Sequence, residues 1–187
     1  REEEAAGHEV QLFVVGRKGA AYFAYRGQRA ERTWSGISDS PDVDSAAGVA
    51  DAVMDRYAAG ELDRVWLVYT DFRSSLVQAP VRMELLPVKP AEFDGGSRIN
   101  PEVIFEPSGA DLLERLIPRY VESKVFHGLL ESSASEHASR QRAMKSATEN
   151  ASDVAASLSR VMNQARQDQI TTEISEIVGG AEALSAG

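Results

Sequence analysis

The sequence predicts an α/β protein in which a small, mostly parallel sheet domain, residues 1–106, is followed by a very long helix, residues 107–187, that forms half of a coiled coil. Two short runs rich in β-branched residues, Val10–Val15 and Val65–Tyr69, predict buried strands. A helical pattern lies between them, and the order strand, helix, strand favours parallel pairing. The last part of the chain is nearly free of helix breakers and carries a heptad repeat.

The chain begins with a pattern typical of the end of a helix. Arg1–Ala6 is compatible with a helix and Gly7 is a natural C-cap, so we expect further residues upstream. The strand at Val10–Val15 is followed by Gly16–Gly19, which predicts a tight turn, and then by a short apolar segment at Ala20–Tyr25. A turn is favoured over a phosphate-binding loop, because the sequence has neither G-x-x-x-x-G-K-[ST] nor a full G-x-G-x-x-G.

The middle of the sheet domain alternates helix, strand and loop patterns. Asp44–Ala59 has apolar residues at helical spacing and predicts an amphipathic helix that stops at Gly60. Within Ser75–Pro87, apolar and charged residues alternate, which predicts a half-exposed strand at a sheet edge. Lys89–Pro101 contains several Pro and Gly residues and predicts an exposed loop, and Val103–Phe105 predicts one more short strand.

The C-terminal helix has a clear start and an unusual length. Ser108 predicts the N-cap, with Asp111 completing a pair that resembles a capping box. Pro118 is expected to kink or delimit the opening turns. From Arg119 to Val178 there is no proline and a single glycine, so we predict roughly 60 residues of helix, about 90 Å long, ending at Gly179-Gly180.

An apolar repeat along this helix predicts a coiled coil. Residues spaced alternately three and four apart over three heptads form what we call the seam: Met144, Ala147, Ala151, Val154, Leu158, Val161 and Ala165. A lone helix with its seam in water would be marginally stable, so a second helix is expected. Since no other segment of the chain is long enough to supply it, a missing N-terminal helix of the same protein is the natural candidate.

Composition excludes several classes of function. Without cysteine, the chain has no disulfide, thiolate nucleophile or Cys-based zinc site. A net charge of −9 disfavours nonspecific binding of nucleic acid. The apolar runs are too short to cross a bilayer and the first residues do not form a signal peptide, so membrane association has to come through a partner rather than through lipid insertion. The histidines are not spaced to bind a metal and no G-x-S-x-G motif occurs, and we expect no catalytic residue and no cofactor.

Several stretches resemble the γ subunits of rotary F-type ATP synthases. Three lie in the long helix: Glu131–Ala138 (ESSASEHA), Arg142–Ala151 (RAMKSATENA) and Asn163–Ala181 (NQARQDQITTEISEIVGGA). Val14–Gly19 (VVGRKG) and Leu116–Glu122 (LIPRYVE) are similar to the same family. The resemblance implies a Rossmann-like α/β domain between two helices that wind into an antiparallel coiled coil, with the N-terminal helix and the first strand absent from this chain.

The chain departs from the family pattern in two places. Thr172 stands where the family usually has Gln, and Ser159–Met162 replaces a Leu-x-Tyr stretch. Both departures bear on contacts with the catalytic ring.

The resemblance also implies a function and a set of contact residues. Similar proteins are non-catalytic rotor subunits of the central stalk, which transmit torque between the membrane c-ring and the catalytic ring of α and β subunits of a proton-translocating ATP synthase. The implied partners are the α, β and ε subunits and the c-ring, at the cytoplasmic side of a bacterial cell membrane. Contacts with the catalytic ring are implied for Arg166, Gln167, Ile170, Thr171, Glu173 and Ile174, and contacts of the foot with ε and the c-ring for Phe105 and Glu106.

Two other classes of protein share part of the pattern. A coiled-coil adaptor or scaffold with a small α/β domain would have the seam but no reason to carry the string from Ala165 to Glu173. A nucleotide-binding α/β enzyme with a helical tail would bind ATP with micromolar affinity, which a titration of the chain would reveal.

Overall fold

A computed structural model describes residues 2–89 and 108–185 of the chain. Contacts group the chain into two compact units, the first extending to Ala138 and the second beginning at Ser139. The first unit holds the sheets and their helices, and the second consists of the distal part of the C-terminal helix. The division into domains at residues 106 and 107 stays a prediction.

The first unit opens with a short helix and a parallel pair of strands. Helix α1 covers Glu2–Ala5 and is closed by Gly7, whose φ of 83° is the left-handed conformation of a C-cap glycine. Strand β1, Leu12–Val15, pairs in parallel with β2, Ala30–Trp34. Helix α2, Arg17–Tyr25, connects them. A tight turn at Gly16–Gly19 was expected instead, and the helix begins one residue after Gly16.

The next elements are a helix and an antiparallel hairpin. Helix α3 covers Val43–Ala58, close to its predicted bounds. Strand β3, Val65–Phe72, pairs antiparallel with β4, Gln78–Leu86. Parallel pairing was expected between the runs that form β1 and β3. This is wrong, because β1 pairs with β2 and β3 pairs with β4 in two separate sheets. The edge strand predicted within Ser75–Pro87 is confirmed by β4.

The core of the first unit joins α3, the end of β4 and the beginning of the C-terminal helix α4. Small residues on α3 allow close packing, since Ala46 and Ala50 have no exposed surface. The remaining core residues are aliphatic: Val49, Leu85, Leu86, Val121 and Val125. Helix α4 is thereby anchored to the sheets through its own buried valines.

Helix α4 runs without interruption from Gly109 to Ser185. Its start has the predicted capping pair, because Ser108 Oγ accepts the amide of Asp111 at 3.2 Å and donates to the Asp111 carboxylate at 2.7 Å. One predicted boundary is wrong, because the helix continues through Gly179-Gly180, which lower helix propensity by about 1 kcal/mol each without breaking the chain of hydrogen bonds. Pro118 lies inside the helix and does not delimit it, whereas a kink at Pro118 stays a prediction.

The fold class is confirmed as a small sheet domain, with parallel and antiparallel strands, followed by a long C-terminal helix. The loop predicted at Lys89–Pro101 and the strand at Val103–Phe105 lie outside the described residues except for Lys89. No helix within residues 2–89 and 108–185 carries an apolar stretch long enough to cross a bilayer.

Candidate partner-binding surface

The seam is an exposed apolar stripe on the second unit. All its residues are exposed, and Met144 and Leu158 keep 62% and 64% of their surface in water. At about 100° per residue, the seven positions fall in a sector of about 100° on the helix. Every side chain from Ser139 to Ala181 is exposed, so no described residue covers the seam.

The seam ends at Ala165, where the apolar residues change to another face. Continuing its spacing of three and four reaches Asp168, Thr172 and Ser175, which are polar. The next exposed apolar residues form what we call the tip stripe: Ile170, Ile174, Ile177 and Val178. At about 100° per residue, its isoleucines lie about 140° around the helix from the centre of the seam.

The residues implied to contact a catalytic ring are brought together by the helix. One face of the helix carries Arg166 and the residues four, seven and eight positions after it, which are Ile170, Glu173 and Ile174. Gln167 and Thr171 lie on the adjoining face, and they share it because Thr171 is one helical turn further along. Sequence spacing alone therefore fixes this surface once the helix is continuous.

Local hydrogen bonds fix some of these side chains on the helix. Thr171 Oγ1 donates to the carbonyl oxygen of Gln167 at 2.9 Å, and Gln169 Nε2 donates to Glu173 Oε1 at 3.1 Å. The first bond orients the hydroxyl toward its own helix, so the Thr171 methyl group faces outward from it. Partner contacts of this face would combine the charge of Arg166, the carboxylate of Glu173 and isoleucine side chains.

The foot residues Phe105 and Glu106 lie outside the described residues. Next to them in sequence, the first turns of α4 carry an exposed apolar stripe: Leu113, Leu116, Ile117 and Tyr120. Two arginines, Arg115 and Arg119, lie beside this stripe on the same helix. Sequence analysis missed this surface because it treated Pro118 as a boundary, although the spacing of the apolar residues was visible.

Titratable groups with a shifted pKa lie at structural contacts. Hydrogen bonds from His8 and Arg82 lower the pKa of Glu3, and the backbone N–H of Ser45 lowers the pKa of Asp42. Within residues 2–89 and 108–185, no group of three or more His, Asp or Glu side chains could hold a metal ion. The features that stand out in the described residues are the exposed apolar stripes of α4.

The comparisons with known proteins agree on one family. The sequence pattern of a family described as ATP synthase matches residues 1–184. The ATP synthase gamma chain of Streptomyces griseus subsp. griseus is 45% identical in an alignment that covers 96% of this chain and 61% of that relative. This chain spans between 61% and 63% of the length of the curated relatives it matches.

Two solved structures share the fold. One, titled central stalk and c-ring of the Tetrahymena thermophila mitochondrial ATP synthase, is 27% identical with a TM-score of 0.56 and covers 72% of this chain and 58% of that chain. The other, from the Euglena gracilis mitochondrial ATP synthase, is 17% identical with a TM-score of 0.63, covering 100% of this chain and 76% of that chain.

Proposed function

Because this chain belongs to the ATP synthase family, among relatives called gamma chains, we propose that it is the rotor part of the central stalk of a proton-translocating F-type ATP synthase. In that role it is non-catalytic and transmits torque between a membrane c-ring and a catalytic ring of α and β subunits. The 27% identical Tetrahymena structure is titled as a central stalk with a c-ring, which supports the same assignment.

The observation that carries the proposal is the change of apolar face along α4. The seam from Met144 to Ala165 suits a second helix, and the tip stripe from Ile170 to Val178 suits a different partner on another side. A simple coiled coil would continue one stripe to its end. A shaft that pairs with one helix along its middle and binds another partner at its end needs two apolar stripes on different faces.

We assign the seam to an upstream helix of the same protein and the tip to the catalytic ring. An antiparallel partner would bury the seam, whose many alanines allow close approach of two helices. At the tip, Arg166 and Gln167 would donate hydrogen bonds to a β-subunit loop, with Thr171 and Glu173 beside them. Ile170 and Ile174 would lie in an apolar sleeve of the ring.

Torque is coupled to nucleotide binding because the tip surface is not the same on all sides. Arg166, Glu173 and the isoleucines occupy one face, so each β subunit meets a different surface at each angle of the shaft. Unequal contacts give unequal free energies for the nucleotide-binding states, which is a coupling free energy between distant sites.

We place the foot, with Phe105 and Glu106, against the ε subunit and the c-ring. The exposed apolar residues at the start of α4 extend this foot and would be covered by the same partners. In this arrangement the protein is peripheral, at the cytoplasmic side of a bacterial cell membrane, and is held there through the c-ring. Its bacterial relatives support this location.

The proposal is tested by replacing two residues of the tip in the full-length protein assembled with its complex. Arg166→Ala together with Gln167→Ala is expected to lower ATP synthesis or assembly while the far-ultraviolet circular dichroism of the subunit stays unchanged. Lys145→Ala together with Ser146→Ala is a matched control, since it also removes one exposed charge from α4. Unaltered ATP synthesis by the tip variant contradicts the assignment of these two residues, and failure of the unaltered protein to copurify with α and β subunits contradicts the proposed function.

A further inference from the structure

The end of β3, at Thr70 and Phe72, has a helix instead of a strand along one edge. Strand β4 occupies the other edge, and in that register Thr70 stands opposite Pro80. The N–H and C=O of Thr70 bond to α4 at the outer edge, so the pair exchanges no hydrogen bonds. Pro80, which has no N–H, fits such a position. The direction alternates along a strand, so the N–H of Phe72 points the same way. Exposed main-chain groups at a sheet edge need a cover.

Side chains of α4 provide this cover. The Thr70 N–H donates to Ser132 Oγ at 3.2 Å, and the Thr70 carbonyl oxygen accepts a longer bond from Ser135 Oγ at 3.4 Å. The Phe72 N–H donates to Glu131 Oε2 at 2.6 Å. Each bond joins a side chain of α4 to the main chain of β3, so the helix replaces a strand at this edge.

One face of α4 lies against the core and β3. Along this face the residue type changes from buried valine to glycine and then to serine. Val121 and Val125 are buried in the core, and Gly128 follows where a Cβ would crowd the side chains of β3. Ser132 and Ser135 come next and meet main chain. At about 100° per residue, these five positions fall in one sector of about 80°, so a single face of α4 serves all three purposes.

We propose that Glu131, Ser132 and Ser135, with the two β3 residues they bond, form a torsional clamp that fixes the angle of α4 about its own axis relative to β3. The clamp makes the sheet and the adjoining part of α4 one torque-bearing body. The role of the clamp in bearing torque rests on the proposed rotor function. The hydrogen bonds between α4 and β3 do not depend on that function. This assigns positioning residues to a part of α4 that precedes both the seam and the tip in sequence.

Hydrogen bonds suit this task better than apolar contacts do. The buried valines keep one side of α4 turned toward the core, but apolar packing is less directional than hydrogen bonding, so it tolerates small rotations of the helix. Hydrogen bonds weaken steeply as their geometry departs from linear. Turning α4 by one residue, about 100°, would carry Ser132 away from Thr70 and leave its main-chain groups unpaired. The polar residues therefore narrow the range of angles that the helix can take about its axis.

The contact is tested by hydrogen exchange of single amides in the full-length protein. In Ser132→Ala, the Thr70 amide is expected to exchange about five- to tenfold faster, because it loses its only acceptor among the described contacts. In Glu131→Ala the Phe72 amide accelerates similarly, whereas Glu131→Gln keeps an acceptor and protects it. Ser146→Ala, on an exposed position of the same helix, is the control for helix propensity. Unchanged exchange of Thr70 in Ser132→Ala would overturn the clamp.

The mechanical role is tested in the assembled complex. A probe fixed to the sheet domain is expected to show broader angular fluctuations in Glu131→Ala with Ser132→Ala than in the unaltered protein, with ATP hydrolysis in the absence of load retained. Glu131→Gln with Ser132→Thr, which keeps both acceptors, is expected to restore the narrow distribution and guards against a variant that merely misfolds. Equal widths in all three proteins would overturn the torque-bearing role even where exchange changes as expected. Failure of the unaltered protein to assemble or turn would instead contradict the proposed function.

Discussion

The side chain of Asp42 accepts a hydrogen bond from the backbone N–H of Ser45, with 2.6 Å between Oδ1 and N. It thereby caps the first turn of α3, the helix that supplies Ala46, Val49 and Ala50 to the core. The same bond lowers the pKa of Asp42 below its ordinary value, because it favours the ionised carboxylate.

The cap should make stability depend on pH. The pKa of Asp42 is lower in the folded state than in the unfolded state. The contribution of the cap to stability is therefore fully present above about pH 4, the ordinary range for Asp, and is lost as pH falls through the lowered pKa. In Asp42→Asn the cap is kept without a titrating group. The urea midpoint of the unaltered chain, measured relative to that of Asp42→Asn, should therefore fall between about pH 6 and pH 3. A difference that is constant with pH contradicts this account of the cap.

The close approach of α4 to β3 depends on the absence of a side chain at Gly128. A Cβ there would lie 3.2 Å from Leu67 Cδ2 and 3.4 Å from Tyr69 Cγ. We expect Gly128→Val to lower the free energy of unfolding by about 1–3 kcal/mol through overpacking, as measured by urea denaturation. Gly128→Ala is the matched control, with a smaller effect, because a gain in helix propensity of about 1 kcal/mol offsets a contact that Leu67 can relieve. Equal effects of the two variants would argue against close packing at this point.

The seam should matter for pairing and not for the fold of this chain. Leu158 is largely exposed, so we expect Leu158→Asp to change the free energy of unfolding of residues 1–187 alone by less than about 0.5 kcal/mol. In the full-length protein the same change should lower the melting temperature, because it places a charge in a buried coiled-coil position. Ser159→Asp, on the side away from the seam, is the control. Equal melting temperatures of the two full-length variants would contradict pairing along the seam.

The tip stripe should act independently of the seam. We expect Ile170→Asn with Ile174→Asn to weaken binding of the full-length protein to an isolated ring of α and β subunits by at least about tenfold, since burial of one such side chain contributes about 1.5–3 kcal/mol. Titration of the ring with labelled protein measures the change in Kd. The melting temperature of the seam pairing should not change, and a parallel loss of both would mean that the two stripes bind one partner.

The sequence predicted the elements whose side chains are patterned by burial. Helix α3 and strand β4 each place apolar residues at the period of their own structure, and both lie near their predicted bounds. The seam and the tip are likewise visible because they depend only on spacing along one helix. The resemblance to γ subunits then supplied partners for them, which periodicity could not do.

The elements that were missed have little buried surface. Strand β2 is largely exposed and polar, so it shows no alternation of apolar residues. Helix α2 has only nine residues and none of them is buried, so its apolar residues were recognised only as a short segment. The pairing of β1 with β2 in turn could not be predicted without β2. The bonds from Ser132 and Glu131 to β3 were also invisible, because a serine or glutamate on a helix has the same sequence signature whether it meets solvent or the edge of a sheet.

The most direct test of the rotor assignment is observation of rotation. The chain has no cysteine, so Leu76→Cys, at an exposed position between β3 and β4, gives a unique attachment point within it once any cysteine outside this segment is removed. With the full-length protein assembled in a ring of α and β subunits held on a surface, a probe at this site should turn in one direction on addition of ATP, with three dwell positions per turn. A probe that stays at one angle while the ring hydrolyses ATP would contradict the assignment.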